Sequence, residues 1–213
     1  MGDHVIDDLD ESLKALLRRE LPPAISEQVS VSFAAPDDEF HSSVKLPAVD
    51  LFLYDIRENL ELRSNEVVVD RDAAGRLVQR QPPVRVDFSY LVTAWPSESQ
   101  ADPWTDEHRL LGAVMQCLLR HRTLPPALLQ GALATQDPPV PVSSLQPGRL
   151  QSLGEFWQAM GGKPKAALHY TVTVAIDLDE GRPLELVAEK ELRVGPLADS
   201  ASPAQPAPAE AGR

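Results

Sequence analysis

Apolar residues near the start of the chain fall at Ile6, Leu9, Leu13, Leu16, Leu17 and Leu21. That is the period of a helix with one buried stripe. Asp7, Asp8, Asp10 and Glu11 come early and Lys14, Arg18 and Arg19 late, a charge order that suits the helix dipole, and Pro22–Pro23 stops the run. The period then changes to two. In "VSVSF", Val29, Val31 and Phe33 share one face and Ser30 and Ser32 the other, which predicts a half-buried strand. In "AVDLFLYDI", Val49, Leu51 and Leu53 oppose Phe52, Tyr54 and Ile56. Both faces are mostly apolar, so this strand is expected centrally, covered on both sides.

Beyond Ile56 the pattern breaks. "RENLELRSN" has neither an apolar face at helical spacing nor an alternation. "EVVVDRDAAGRLVQRQ", about 66–81, reads as a projecting hairpin with Gly75 supplying the positive φ of its turn. Val84, Val86, Phe88, Tyr90 and Val92 then mark one face of a long strand. From Asp106 to His121 the helical period returns, with Thr105 as expected cap and Leu110, Leu111, Val114, Leu118 and Leu119 as the inward stripe. A short helix is expected after Pro125–Pro126. Another is expected to turn Leu150, Leu153, Phe156, Trp157 and Met160 inward and to end at Gly161–Gly162. Leu168, Tyr170, Val172, Val174, Ile176 and Leu178 alternate as a strand, and a weak last strand is expected over 184–194. Helices grouped after a block of strands predict the α+β class, a mixed, mainly antiparallel sheet flanked by helices. The expected organisation is one domain over 1–194 followed by a disordered Pro/Ala-rich tail over 195–213.

Composition narrows the partners. The chain has 213 residues and a net charge of −12, against the clustered Lys and Arg that nucleic acid or an anionic membrane would require. Its 20 prolines are roughly twice average usage of ~5% and sit in connectors and the tail. One cysteine, Cys117, makes no internal disulfide and no cysteine-built metal site. The first residues lack the basic region and apolar core of a secretion signal, and no apolar run reaches membrane-spanning length, so a soluble, cytosolic chain is expected.

Catalytic groupings are hard to find. His4, His41, His108, His121 and His169 include no pair at metal-ligand spacing. Glu107–His108 at a helix start is the most enzyme-like pair, yet adjacent helical residues point apart. A metal-dependent hydrolase centred on His108 with Glu107 or Asp106 is kept as an alternative from another class. Cys117 among Met115, Leu118 and Leu119 reads as a buried, inert thiol. No phosphate-binding or nucleophile-elbow pattern occurs. Asp50, Asp55, Glu58 and Glu61 could be paired acids, but they alternate with Arg57 and Arg63 and read better as a solvated mixed-charge face. Trp95 and Trp104 bracket a polar loop and read as its anchors.

Taken in order, the amphipathic opening helix, "PAVDLFLYDIRENLELRSN", "PPVRVDFSYLVTAW", "DEHRLLGAVMQCLLRHRTLPPALL" and "LQSLGEFWQAMGGKPKAALHYTVTV" resemble the cap, or tail-terminator, proteins of extracellular phage-tail-like contractile injection systems. The resemblance runs from about Ile6 to Val194. It implies a non-enzymatic structural protein without cofactor or metal. It implies a hexameric ring that closes the inner tube and binds the last sheath ring at the end away from the baseplate, with sheath and inner tube proteins as partners. Such a particle is assembled in the cytoplasm and then released. A tail-completion or baseplate-proximal component is the alternative of the same class. Matching family positions are Asn59 and Arg63 to Asn65 after the strand and Glu107, His108 and Gly112 in the helix. Arg57, Asn59, Arg63, Asn65, Glu107 and His108 are therefore the expected partner-binding residues, and 66–81 an expected interface ribbon. The first strand is less plainly apolar than the family's, and the Pro-rich end has no counterpart in it.

Overall fold

The structure, a computed structural model, describes residues 4–72, 74–97, 102–146, 150, 152–178 and 181–184. Helix α1 (Val5–Glu20) is followed by the one-turn helix α2 (Pro23–Ser26), strand β1 (Ser30–Ser32), the short helix α3 (Phe40–Ser43) and strand β2 (Ala48–Glu58). A hairpin of β3 (Val68–Arg71) and β4 (Leu77–Arg80) precedes β5 (Val84–Trp95) and helix α4 (Pro103–Leu119). Two 3₁₀ turns, β6 (Val142–Ser144), α5 (Leu153–Ala159), β7 (Ala167–Ile176) and β8 (Arg182–Pro183) complete it.

The main sheet has the order β1-β2-β5-β7-β6. Only β1 and β2 are parallel; the other pairs in this sheet are antiparallel. The hairpin does not join this sheet. It makes a separate one, ordered β3-β4-β8, in which β3 has no second neighbour among the described residues. The weak strand expected over 184–194 falls, beyond Leu184, outside the described residues. β6 was not visible as a strand in the hydrophobic pattern, because it is three residues long and preceded by prolines.

One sheet face carries the large core. Val49, Leu51, Phe88, Tyr90, Val92, Val172 and Val174 pack there against Leu9, Leu13, Leu16 and Leu17 of α1 and Leu110, Leu111, Val114 and Leu118 of α4. Each fully buried Leu contributes about 1.5–3 kcal/mol of transfer free energy, so α1 is held by its stripe and not by propensity alone. Three expected inward residues lie elsewhere: Ile6 is 38%, Leu119 50% and Leu153 37% exposed. Cys117 takes the inward place on α4, 1% exposed, and burial raises its thiol pKa to about 11. The α4 cap also moves. Pro103 can open a helix because its missing N–H needs no partner, so Asp102 caps it, its carboxylate accepting from the Thr105 N–H at 3.4 Å and the Thr105 hydroxyl at 2.6 Å.

The opposite face is covered by α3 and α5. Phe40 stacks on Trp95 at 4.2 Å between ring centroids, and Phe52 meets Phe156 at 6.0 Å. This cover buries Ser32, expected on the polar face of its strand, and corrects the reading of Asp50 as part of a solvated mixed-charge face. Ser32, Asp50 and Thr93, register partners across β1, β2 and β5, are all buried. Burial pushes the Asp50 carboxyl up to about 8; the Ser32 hydroxyl and Ala34 N–H oppose this in part, and no described group makes a well-aligned hydrogen bond to either oxygen. Asp50 is thus a neutral acid inside the fold at pH 7.

The β2–β5 register slips between Leu53 and Asp55. A bulge at Tyr54 shifts the face parity and sets Ile56 opposite Phe88. The expected grouping of Ile56 with Phe52 and Tyr54 is therefore broken by the bulge, and β2 stays paired with β5 as far as Glu58 before the chain leaves the sheet.

Candidate interface at the two ends of the sheet

Asn59 is the root of the segment that leaves β2. Its backbone N–H donates to the Arg85 carbonyl at 2.8 Å. Its side-chain amide donates to both Asp87 oxygens at 3.0 and 3.1 Å, and its Oδ1 accepts from the Leu62 N–H at 3.0 Å. Asp87 also accepts from the Thr173 hydroxyl at 2.7 Å. One carboxylate therefore ties the end of β2 to β5 and β7. Asn59, expected as a partner contact, has its polar atoms engaged within its own chain.

From Leu60 the chain runs free to the hairpin. Residues 60–71 are all exposed. Leu60 is 67% exposed, and Leu62, Val67, Val68 and Val69 also present their side chains outward. Among these, Arg63 pairs loosely with Glu58 at 3.6 Å, Arg57 pairs with Asp55 at 2.9 Å, and Asn65 is exposed. The hairpin tip is better ordered by its own chemistry. Asp72 accepts from the Ala74 and Arg76 N–H groups, both at 2.9 Å, and Gly75 adopts φ +78°, the left-handed region its turn requires. The Arg76 contacts and these backbone N–H groups lower the Asp72 carboxyl pKa.

Behind the hairpin lies a groove of ≈ 420 Å³ between β3 and β4, the start of α1, the second 3₁₀ turn and the end of β7. Val5, Val68, Leu133 and Ile176 give it apolar walls, and Asp70, Arg80 and Asp177 are among its charged lining. Gly131, at φ +52°, is required where this turn meets α1: a Cβ there would lie 2.0 Å from Asp8 Oδ1. The Ala132 N–H donates to the same carboxylate at 2.8 Å.

Glu107 and His108 stand at the other end of the sheet. Glu107 is partly buried and accepts a short charge-assisted hydrogen bond from Lys165, whose ammonium sits 4.7 Å from the centroid of the Trp95 ring. This joins the start of α4 to the approach to β7. His108 is exposed on α4. Trp104, expected as a loop anchor, is 71% exposed; Trp95 alone of the pair is buried, its indole N–H donating to Thr93 at 2.9 Å. Among the described residues no cluster of three or more His, Cys, Asp or Glu could hold a metal. Of the two acids considered with His108, Glu107 is engaged by Lys165 and Asp106 accepts from Arg109 at 3.0 Å.

The expected site residues thus fall into two groups. Arg57, Asn59, Arg63 and Asn65 lie where β2 ends, opposite Val86 on β5, and Glu107 and His108 lie near Trp95. Nine residues of β5 separate these places, about 30 Å at strand rise. The hairpin was expected to project, but the exposure of Leu60 and Leu62 ahead of it escaped sequence reasoning.

The chain is similar to the sheath/tube terminator of PVC, an extracellular contractile injection system, in its extended state: 29% identity, TM-score 0.63, over 93% of this chain and 67% of that one. It is also similar to the tube-terminating cap of the anti-feeding prophage: 30% identity, TM-score 0.62, over 88% of this chain and 61% of that one. No match to a curated protein sequence reaches significance. The antiparallel-dominated α+β fold and these likenesses define the class: a tail-terminator protein of contractile injection systems. Residues 8–185 match the Pvc16 N-terminal domain, and the chain belongs to that family. It spans about two thirds of the length of the two solved relatives.

Proposed function

We propose that this protein is a non-catalytic cap of a phage-tail-like contractile injection particle, forming a hexameric ring that closes the inner tube and engages the last sheath ring at the end distal to the baseplate. The observation that carries this reading is the similarity of almost the whole chain to a sheath/tube terminator and to a tube-terminating cap. The shape of the molecule supports it. A cap must satisfy the last ring of a polymer without offering the next ring its site, and a ring repeats each modest contact around its axis. An exposed apolar arm and a strand edge are suited to such contacts. Arg57, Arg63, Asn65 and His108 remain candidate contacts on exposed surface, and Asn59 and Glu107 act by holding the surfaces in place.

The particle is released after assembly in the cytoplasm in this reading, and nothing in it calls for a membrane anchor; no described helix is long and apolar enough to cross a membrane. Electron microscopy of particles carrying an epitope on this protein tests the placement. Label at the end away from the baseplate is expected. Label at the baseplate would replace the cap reading with a tail-completion role.

A further inference from the structure

Gly112 sits in the middle of α4, where glycine costs about 0.5–1 kcal/mol relative to alanine. No intramolecular crowding explains it: a Cβ at Gly112 would meet no atom within 4 Å, and its φ is not in the left-handed region. Trp104, His108, Gly112 and Leu119 recur at intervals of four, four and seven along one flank of the helix. Trp104 and Leu119 are large apolar residues left in solvent. This flank is therefore shaped for close approach of something outside the described fold.

The second such surface is the arm, with Leu60, Leu62, Val67, Val68 and Val69 exposed. The two surfaces cannot meet within one molecule. The arm leaves β2 beside Val86, whereas the first half of α4 lines a groove with Pro47 and Pro96 at the other end of the same strands. Their dimensions agree: α4 is about 25 Å long, and ten extended residues of arm span about 30 Å. Their charges do not oppose the contact: residues 55–72 hold six acids and three arginines, and on 104–119 Asp106 is paired with Arg109 and Glu107 with Lys165, which leaves the flank itself to Trp104, His108, Gly112 and Leu119.

We propose that the ring closes head to tail, the arm of one copy lying across the Trp104–Leu119 flank of α4 of the next copy. This rests on the ring-forming cap reading above. Such a contact joins two different patches of one chain, which is what a closed ring of identical subunits requires.

Two measurements test it. Gly112→Leu adds a side chain into open space on a helix, so the isolated protein should melt at the same or a higher temperature while failing to enter particles. Normal entry would overturn the proposal. The second uses assembled particles carrying Leu62→Cys with either His108→Cys or Leu119→Cys in one chain, treated with a short bismaleimide; native Cys117 is buried. A ladder of covalent multimers from the double variants, absent from each single variant, is expected. Particles that carry the protein at their distal end but yield no ladder, or cross-links only to sheath or tube protein, would overturn the arm-on-helix contact and leave the cap reading standing. Particles of normal length that lack the protein would remove both.

Discussion

Asp50 offers a sharp test of the fold because it is a buried acid held mainly in its neutral form. An ordinary aspartate near 3.8 is raised here to about 8, chiefly by burial. A raised acid makes the folded state hold a proton that the unfolded chain has released, so stability falls as pH rises between those two values. At 1.36 kcal/mol per unit, the loss from pH 4 to pH 8 reaches about 5 kcal/mol, on the scale of a small protein's whole stability. Asp50→Asn keeps the shape and removes the titration. It should match the parent within about 1 kcal/mol near pH 4 and exceed it by several kcal/mol at pH 8, with the gap opening steadily between. Burial also raises the Asp10 carboxyl, which accepts from the Tyr90 hydroxyl at 2.9 Å, to about 6; its slope has the same sign and persists in both proteins. Urea unfolding followed by fluorescence of the buried Trp95 and Trp157, from pH 4 to 9, reads the difference. Parallel curves for the two proteins would refute the buried-acid account.

Four other outcomes follow from particular contacts. Asn59→Ala removes the links that hold the arm's root to Asp87 and should cost about 1–3 kcal/mol, seen as a lower urea midpoint; Arg63→Glu, on exposed surface, should leave that midpoint within about 0.5 kcal/mol and weaken assembly alone. Gly131→Ala should destabilise markedly, because the added methyl collides with Asp8 at a positive φ; a thermal shift of zero would contradict that packing. Lys165→Met strands the carboxylate of Glu107, so unfolding should become easier by about 1–3 kcal/mol. Cys117, buried and with its thiol pKa raised to about 11, should react with a thiol reagent only as fast as the protein opens.

The regular elements were legible because each has its own period. The α1 stripe, the alternation of β5 and β7 and the apolar richness of β2 all describe burial against a neighbour that any such pattern finds. What escaped the sequence depends on partners far along the chain. Ser32 and Asp50 look like a polar face until α3 and α5 cover them. Asn59 looks like a surface amide, since Asp87, its partner, lies on another strand. Cys117 reads from the sequence as a buried thiol and is one, whereas Leu119, expected on the inward stripe of α4, is 50% exposed. The expected interface was legible as a break in pattern after Ile56 and as a projecting hairpin over 66–81. That Leu60 and Leu62 are exposed along with Val67, Val68 and Val69 could not be read from the pattern, since it depends on the hairpin forming a sheet apart from the main one.

The cap reading turns on whether this protein sets the end of the particle. Electron microscopy of particles from a strain lacking the gene measures that directly, through the distribution of sheath and inner-tube lengths. Tubes and sheaths of irregular length with open distal ends are expected. Intact particles of normal, uniform length, closed at the distal end, would contradict the account.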